Sequence, residues 1–350
     1  MRLGIRIRRK KGKIKDYAYI TARVRARRRK LLRREDYQKL LKMSLEEIAR
    51  FLGETEYREE IEELSDKYSG VELVERALTL NLSRTYRNLM EISSGEPNLL
   101  IREYLRRWDI WNLRSLLRGK RTGADPEEIK SLFVVAGELD ESFLSALAEL
   151  KSIDEVIEAL SRTRYYEILK RHEEMHWREL EDELEKRYYE ELVGILEEER
   201  TEDRKLLLRI IRREIDIKNL MTLLRLKKDG VEPRDIEHHL IMAGEELTEM
   251  ELKRLLNMSY EEILRTVGDF SYGRILGESA ERSSLTTIEA KLEKHLGEFA
   301  HKLSYHYPLS ILPVIGYIIS KRHEVRNLQL IARGKSLGVP QERLEEGLVI

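Results

Sequence analysis

Apolar residues recur at spacings of three and four through nearly every segment of ten or more residues, as helices buried along one stripe require. In "NLLIREYLRRWDIWNLRSLLR" the stripe is Ile101, Tyr104, Leu105, Trp108, Trp111 and Leu116, which predicts one helix buried on that side. Gly119 and Gly123 follow as stop signals. "ADPEEIKSLFVVAG" then starts a new helix, with Asp125 as N-cap, Pro126 in the first turn, Glu128 at the capping-box position and Gly137 as terminator. "DESFLSALAEL" and "SIDEVIEALSRT" predict two more short helices, the second capped by Ser152 with Glu155 three residues on. Longer charged helices are expected at about 59–93, 165–200 and 278–306, rods of roughly 45 Å at 1.5 Å per residue. Period-two alternation is confined to "RLGIRIRRK" at the start, so the fold class is all-α.

The pattern repeats. An acid, an Asn three residues on and an Arg six beyond that occur as Asp109-Asn112-Arg118, Asp216-Asn219-Arg225 and Glu324-Asn327-Arg333, with the Asn residues 107 and 108 apart. Pro126, Pro233 and Pro340 keep the interval, as do Gly137 and Gly244. A second landmark, "MSLEEI", "KSIDEV" and "MSYEEI", places Ser44, Ser152 and Ser259 on the same period, each followed after thirteen residues by Tyr57, Tyr165 or Tyr272. Two independent landmarks on one period define three similar helical units of about 107 residues, spanning 30–136, 137–244 and 245–350 behind a basic segment, 1–29. Three such units can stack openly or close into a ring about a pseudo-threefold axis.

Charge changes the picture only locally. The chain is neutral, with 65 basic and 65 acidic residues, yet residues 1–34 hold sixteen Lys or Arg against Asp16 alone. Residues 172–203 hold fourteen acids against four bases. Arg23, Arg25, Arg27 and Arg28 stand at helical offsets and are candidate partner-binding residues, facing either another molecule or acidic helices within the chain. A nucleic-acid-binding helical protein is the alternative function this segment suggests, but Tyr17 and Tyr19 are its only aromatics for base stacking. The absence of cysteine excludes disulfides and thiolate metal sites and suits a cytoplasmic protein. The longest apolar run, "PLSILPVIGYIIS", is too short to span a bilayer and reads as core or interface; no export signal is evident.

Candidate chemistry is thin. "HEEMH", His172 to His176, matches the helix-borne zinc-protease motif, but it falls in an acidic rod without a convincing third ligand. "RGKS" at Arg333 lacks the first glycine of a phosphate loop, with Gln329 in its place. His238-His239 reads as a surface or packing pair. The acid-Asn-Arg triplets lack a nucleophile and read as helix-end satisfaction and interhelical packing. No catalytic residue, metal ligand or cofactor is expected.

"RRWDIWNLRSLLRGK", "REIDIKNLMTLLR", "PVIGYIISKRHEVRNLQLIARGKSLGVPQERL" and "YAYITARVRARRRKLLRREDYQKLL" together resemble the C subunit of the archaeal and bacterial V-type (A-type) ATP synthases, related to the d subunit of the eukaryotic vacuolar pump. The resemblance runs from Asp16 to Ile350 and is most specific around "KRHEVRNLQLIARGK"; "TARVRARRR" departs from it by its arginine density and by Thr21 where the family often has Asn. It implies a funnel-like, non-catalytic rotor adapter without cofactors, peripheral to the cytoplasmic face of the cell membrane. The partners it implies are the central-stalk subunits and the membrane rotor ring of proteolipid subunits, with no nucleic acid and no direct membrane span.

Overall fold

In the computed structural model, residues 17–271, 273 and 283–350 are described, and among them the chain is helical throughout, without strands. Helix α1 covers residues 17–28. The first third continues through α2 (Arg34–Leu40), α3 (Leu45–Leu52), α4 (Arg58–Leu64), the rod α5 (Gly70–Glu91), α6 (Gly95–Leu105), α7 (Arg107–Thr122) and α8 (Pro126–Ser131). The middle third holds α9 (Glu141–Glu149), α10 (Ile153–Ala159), α11 (Tyr166–Leu169), the rod α12 (Trp177–Glu198), α13 (Glu202–Lys228) and α14 (Pro233–His238). The last third holds α15 (Glu249–Leu256), α16 (Tyr260–Thr266), a short 3-10 turn, the rod α17 (Leu285–His306), α18 (Leu312–Ser336) and α19 (Gln341–Glu346).

Local chemistry sets these boundaries. Ser44, Ser152 and Ser259 each accept the backbone N–H of the glutamate three residues on, starting α3, α10 and α16. Pro126 and Pro233 sit in the first turn of α8 and α14, where a missing N–H costs nothing. Gly123 ends α7 in the left-handed conformation. Each rod has 22 residues, about 33 Å, so the longer expected spans do not hold. Residues 58–64 and 166–169 are separate helices, because Ser69–Gly70 (φ 58°) and His176 restart the chain before the rods; part of 278–306 lies outside the described residues. Two further expectations are corrected. The helix read through Ile101–Leu116 is divided at Arg106 into α6 and α7, and α8 ends at Ser131 rather than at Gly137.

The long helices make the core. α7 packs on the rod α12, α13 lies against α12 and α17, and α18 lies against α17 and α5. Each of these three inner helices therefore contacts the rod of the following third, and for the last third that rod belongs to the first. One continuous apolar cluster runs from Tyr17 to Leu348. "PLSILPVIGYIIS" enters it from Ser310 onward, as the buried start of α18, and no helix among the described residues is long and apolar enough to cross a membrane.

Candidate docking cavity

The acid-Asn-Arg triplets lie on the inner helices and do the same work three times. Asn112 donates to the Val134 carbonyl and accepts from its N–H, at 2.9 and 2.8 Å. Asn219 does so with Ile241 and Asn327 with Val349, always 22 residues on, so each buried amide holds a non-helical segment of chain against its helix. The acids reach onward instead. Asp109 accepts from the N–H groups of Glu138 and Leu139 and from the Tyr165 hydroxyl, and Asp216 from the N–H groups of Glu245, Glu246 and Leu247. Glu324 accepts from the Leu32 N–H at 2.5 Å and the Tyr57 hydroxyl at 2.6 Å, which ties the last third to the first. Tyr272, the third tyrosine of the series, lies outside the described residues.

The same direction holds for the cations. Arg118 pairs with Glu181, Arg225 with Glu289 at 3.0 Å, and Arg333 with Glu75, each reaching the following rod and the last one returning to α5. Lys120, Lys227 and Lys335 donate to the carbonyls of Leu150, Leu256 and Leu41 in the same sequence. Gly137 and Gly244 explain their shared interval here, since a Cβ at either would collide with the carboxylate of Asp109 or Asp216.

Between the inner helices and the rods lies a cavity of about 1130 Å³, lined from all three thirds of the chain. Arg107, Glu214 and Arg322, again 107 and 108 apart, meet in its wall. Arg107 grips Glu214 through two nitrogens, at 2.5 and 3.0 Å, and Arg322 donates to the same carboxylate at 2.9 Å. Burial alone would raise the Glu214 carboxyl, but the two guanidiniums outweigh it and hold it below the usual glutamate range. Arg322 also pairs with Glu293, which donor-rich surroundings including His323 likewise depress. Asp109 and Asp216 show the contrary balance: burial lifts them to about 6 and about 7 against the backbone N–H groups they accept. These charged groups answer one another or the backbone, an arrangement of support rather than of a poised acid and base.

Trp111 is the residue that sequence reasoning misplaced. It belongs to the apolar stripe of α7, yet it is 51% exposed in the cavity lining, with its indole N–H donated to the Leu132 carbonyl. Its period-matched positions are Lys218 and Arg326, and that polarity was the available signal.

"HEEMH" is not on a helix. Residues 171–175 form turns and His176 caps α12, accepting from the Arg178 N–H, so the two imidazoles lack helical i, i+4 spacing. His172 pairs with Asp154 at 2.9 Å, and Asp154, His172 and Glu173 offer ligand atoms within 4.8 Å of one another. His239 pairs with Asp182, and Arg333–Ser336 is the end of α18. Of the candidate partner-binding arginines, Arg23 and Arg25 face outward, while Arg27 donates to Asn88 at 2.6 Å and Arg28 is tucked beside Gly316.

Fold and cavity define an all-α protein whose buried ions brace helices around a recess able to admit another molecule. A family profile described as ATP synthase (C/AC39) subunit matches residues 20–347, and the chain belongs to that family, whose members are non-catalytic parts of the ATP synthase. It is similar to the A-type ATP synthase C subunit of Methanococcoides burtonii, 41% identical over 97% of this chain and 96% of that one. The proteins of that name from Methanosarcina mazei and Archaeoglobus fulgidus are 40% and 39% identical, over 98% and 97% of this chain and 95% and 98% of theirs.

Proposed function

We propose that this chain is the central-rotor adapter of an A-type ATP synthase, joining the central stalk to the membrane rotor ring and transmitting torque without doing chemistry. In this reading residues 30–136, 137–244 and 245–350 are three units closed into a funnel-like ring about a pseudo-threefold axis, and the foot of the stalk enters the cavity between them. The protein then lies peripherally on the cytoplasmic face of the cell membrane.

The observation that carries the reading is the return of three contact series, of acids, arginines and lysines, from the last third to the first: Glu324 to Leu32, Arg333 to Glu75, Lys335 to Leu41. A closed series gives a rotor part stiffness in torsion, because no junction is left free to open. The charged lining suits a partner held in register, since charge complementarity sets orientation more than affinity. Trp111 is the natural anchor, being large, amphipathic and exposed in the recess. Titration with purified central-stalk subunits tests this. W111A should weaken binding by about thirtyfold, with only a small fall in melting temperature from the lost bond to Leu132. Stalk binding that ignores W111A, or that is absent in the intact chain, contradicts the docking reading.

A further inference from the structure

The turns that join the rods to the helices after them gather at one end of the molecule. Thr201 donates to Glu96 at 2.6 Å, and the Ile311 N–H to Asp203 at 2.9 Å, which links all three turns. One edge of this end carries aromatic and apolar side chains in the open: Tyr305 is 82% exposed and Leu309 53%, with Tyr307 and Pro308 between them also exposed. α1 runs down to the same edge. Leu32 is bonded to Glu324, and Arg28 lies 3.8 Å from where a Cβ of Gly316 would stand, so moving toward the N-terminus means moving toward the start of α18. Nine residues further, about 13 Å along the helix, lies Tyr19, in the direction of the 307–311 turn.

The outer face of α1 is Ala18, Tyr19, Ala22, Arg23, Arg25 and Ala26, all exposed, and Arg29 in the turn just after the helix is exposed too. No acid occurs between residues 17 and 34, and the fifteen residues before Asp16 include eight Lys or Arg and no acid. The corresponding turn of the middle third is the opposite, with Glu197, Glu198, Glu199 and Glu202 exposed. A clustered cationic surface beside open tyrosines and a leucine is the composition that settles at an anionic lipid interface, where tyrosine rings sit at headgroup level. A nucleic acid would want the aromatics interleaved among the cations, not gathered on a separate turn.

We propose that this edge binds an anionic phospholipid surface, with Arg23, Arg25 and Arg29 at the headgroup phosphates and Tyr19, Tyr305 and Leu309 in the interfacial layer. The neighbouring acidic turn is partly neutralised within the chain, with Glu197 paired to Arg212 and Glu199 to Arg204. The proposal does not depend on the rotor reading.

Sedimentation of the intact chain with vesicles tests it, using phosphatidylglycerol and phosphatidylcholine in equal parts against phosphatidylcholine alone. The chain should sediment with the anionic vesicles only, and several-fold less at raised salt. R23Q/R25Q/R29Q should lower the partition by at least about tenfold. Y305S/L309S should lower it severalfold, and circular dichroism and melting should match the parent in both variants. No sedimentation, equal sedimentation with both vesicles, or binding untouched by either variant overturns the proposal. So does binding through these residues to detergent-solubilised rotor-ring protein in a chain that ignores vesicles. No stalk protein is present, so failure here leaves the adapter reading standing, and failed stalk docking leaves this proposal standing.

Discussion

Equivalent positions on the three inner helices carry opposite charges where they meet and like chemistry where they reach outward. At the meeting point Arg107, Glu214 and Arg322 cannot be alike, because three arginines or three glutamates would repel in a buried site. Glu214→Gln should therefore destabilise the protein by about 3 kcal/mol in urea unfolding, leaving two buried guanidiniums short of charge. Since Glu214 is held below the usual range, its contribution is present in full above about pH 5 and fades as pH falls toward the lowered value. The acid limb of the stability curve should accordingly be shallower in E214Q than in the parent. At the outward-reaching acids, side-chain length follows the backbone opposite. Asp109 and Asp216 face glycines, whereas the longer Glu324 serves the segment where Lys30 takes the matching position. Gly137→Ala and Gly244→Ala should each cost about 1–3 kcal/mol by displacing an aspartate, and Lys30→Ala, at an exposed site, should cost almost nothing in the same assay.

Helices were largely legible in the sequence because their starts are written in local chemistry. Ser152, Asp125 and Pro126 act within four residues and start the helices they were expected to start, and Ser44, Ser259 and Pro233 do the same at the matching positions. The triplets too were legible as a repeat, and their residues bond the backbone or the following rod. What local pattern could not give was the extent of the rods, since the turns before them are as charged and as rich in helix formers as the rods themselves. The "HEEMH" segment shows the consequence: the spacing is right for a helix, but the backbone turns at 171–175 and His176 becomes a cap. Glycine at position 137 misled for a related reason, as it serves the carboxylate of Asp109 and not the end of α8. Dialysed protein should contain no stoichiometric zinc by elemental analysis, and His176→Ala should cost about 1 kcal/mol through the lost cap. One zinc per chain that disappears in H172A would instead make Asp154, His172 and Glu173 a metal site.

Across the whole molecule, interval was the informative quantity. A period in sequence becomes a recurrence of partners: amide to carbonyl at 22 residues, acid to the following segment, arginine to the following rod. Whether such a series stays open or closes depends on contacts between residues nearly 300 positions apart, such as Leu32 with Glu324, which no local pattern encodes. The apolar stripe of α7 misplaced Trp111 because its surroundings are supplied by distant segments, and only the polar Lys218 and Arg326 at the matching positions hinted at its exposure. A chain without cysteine permits a direct test of what the cavity is for. Single cysteines at Thr79 and Thr222, on two different walls of the cavity, and at exposed Ser142 as an outside control, can carry a short photo-crosslinker in the presence of central-stalk subunits. Stalk docking in the cavity predicts crosslinks to the stalk from Thr79→Cys and Thr222→Cys and none from Ser142→Cys. Crosslinks from Ser142→Cys alone, with both cavity positions silent, would contradict it.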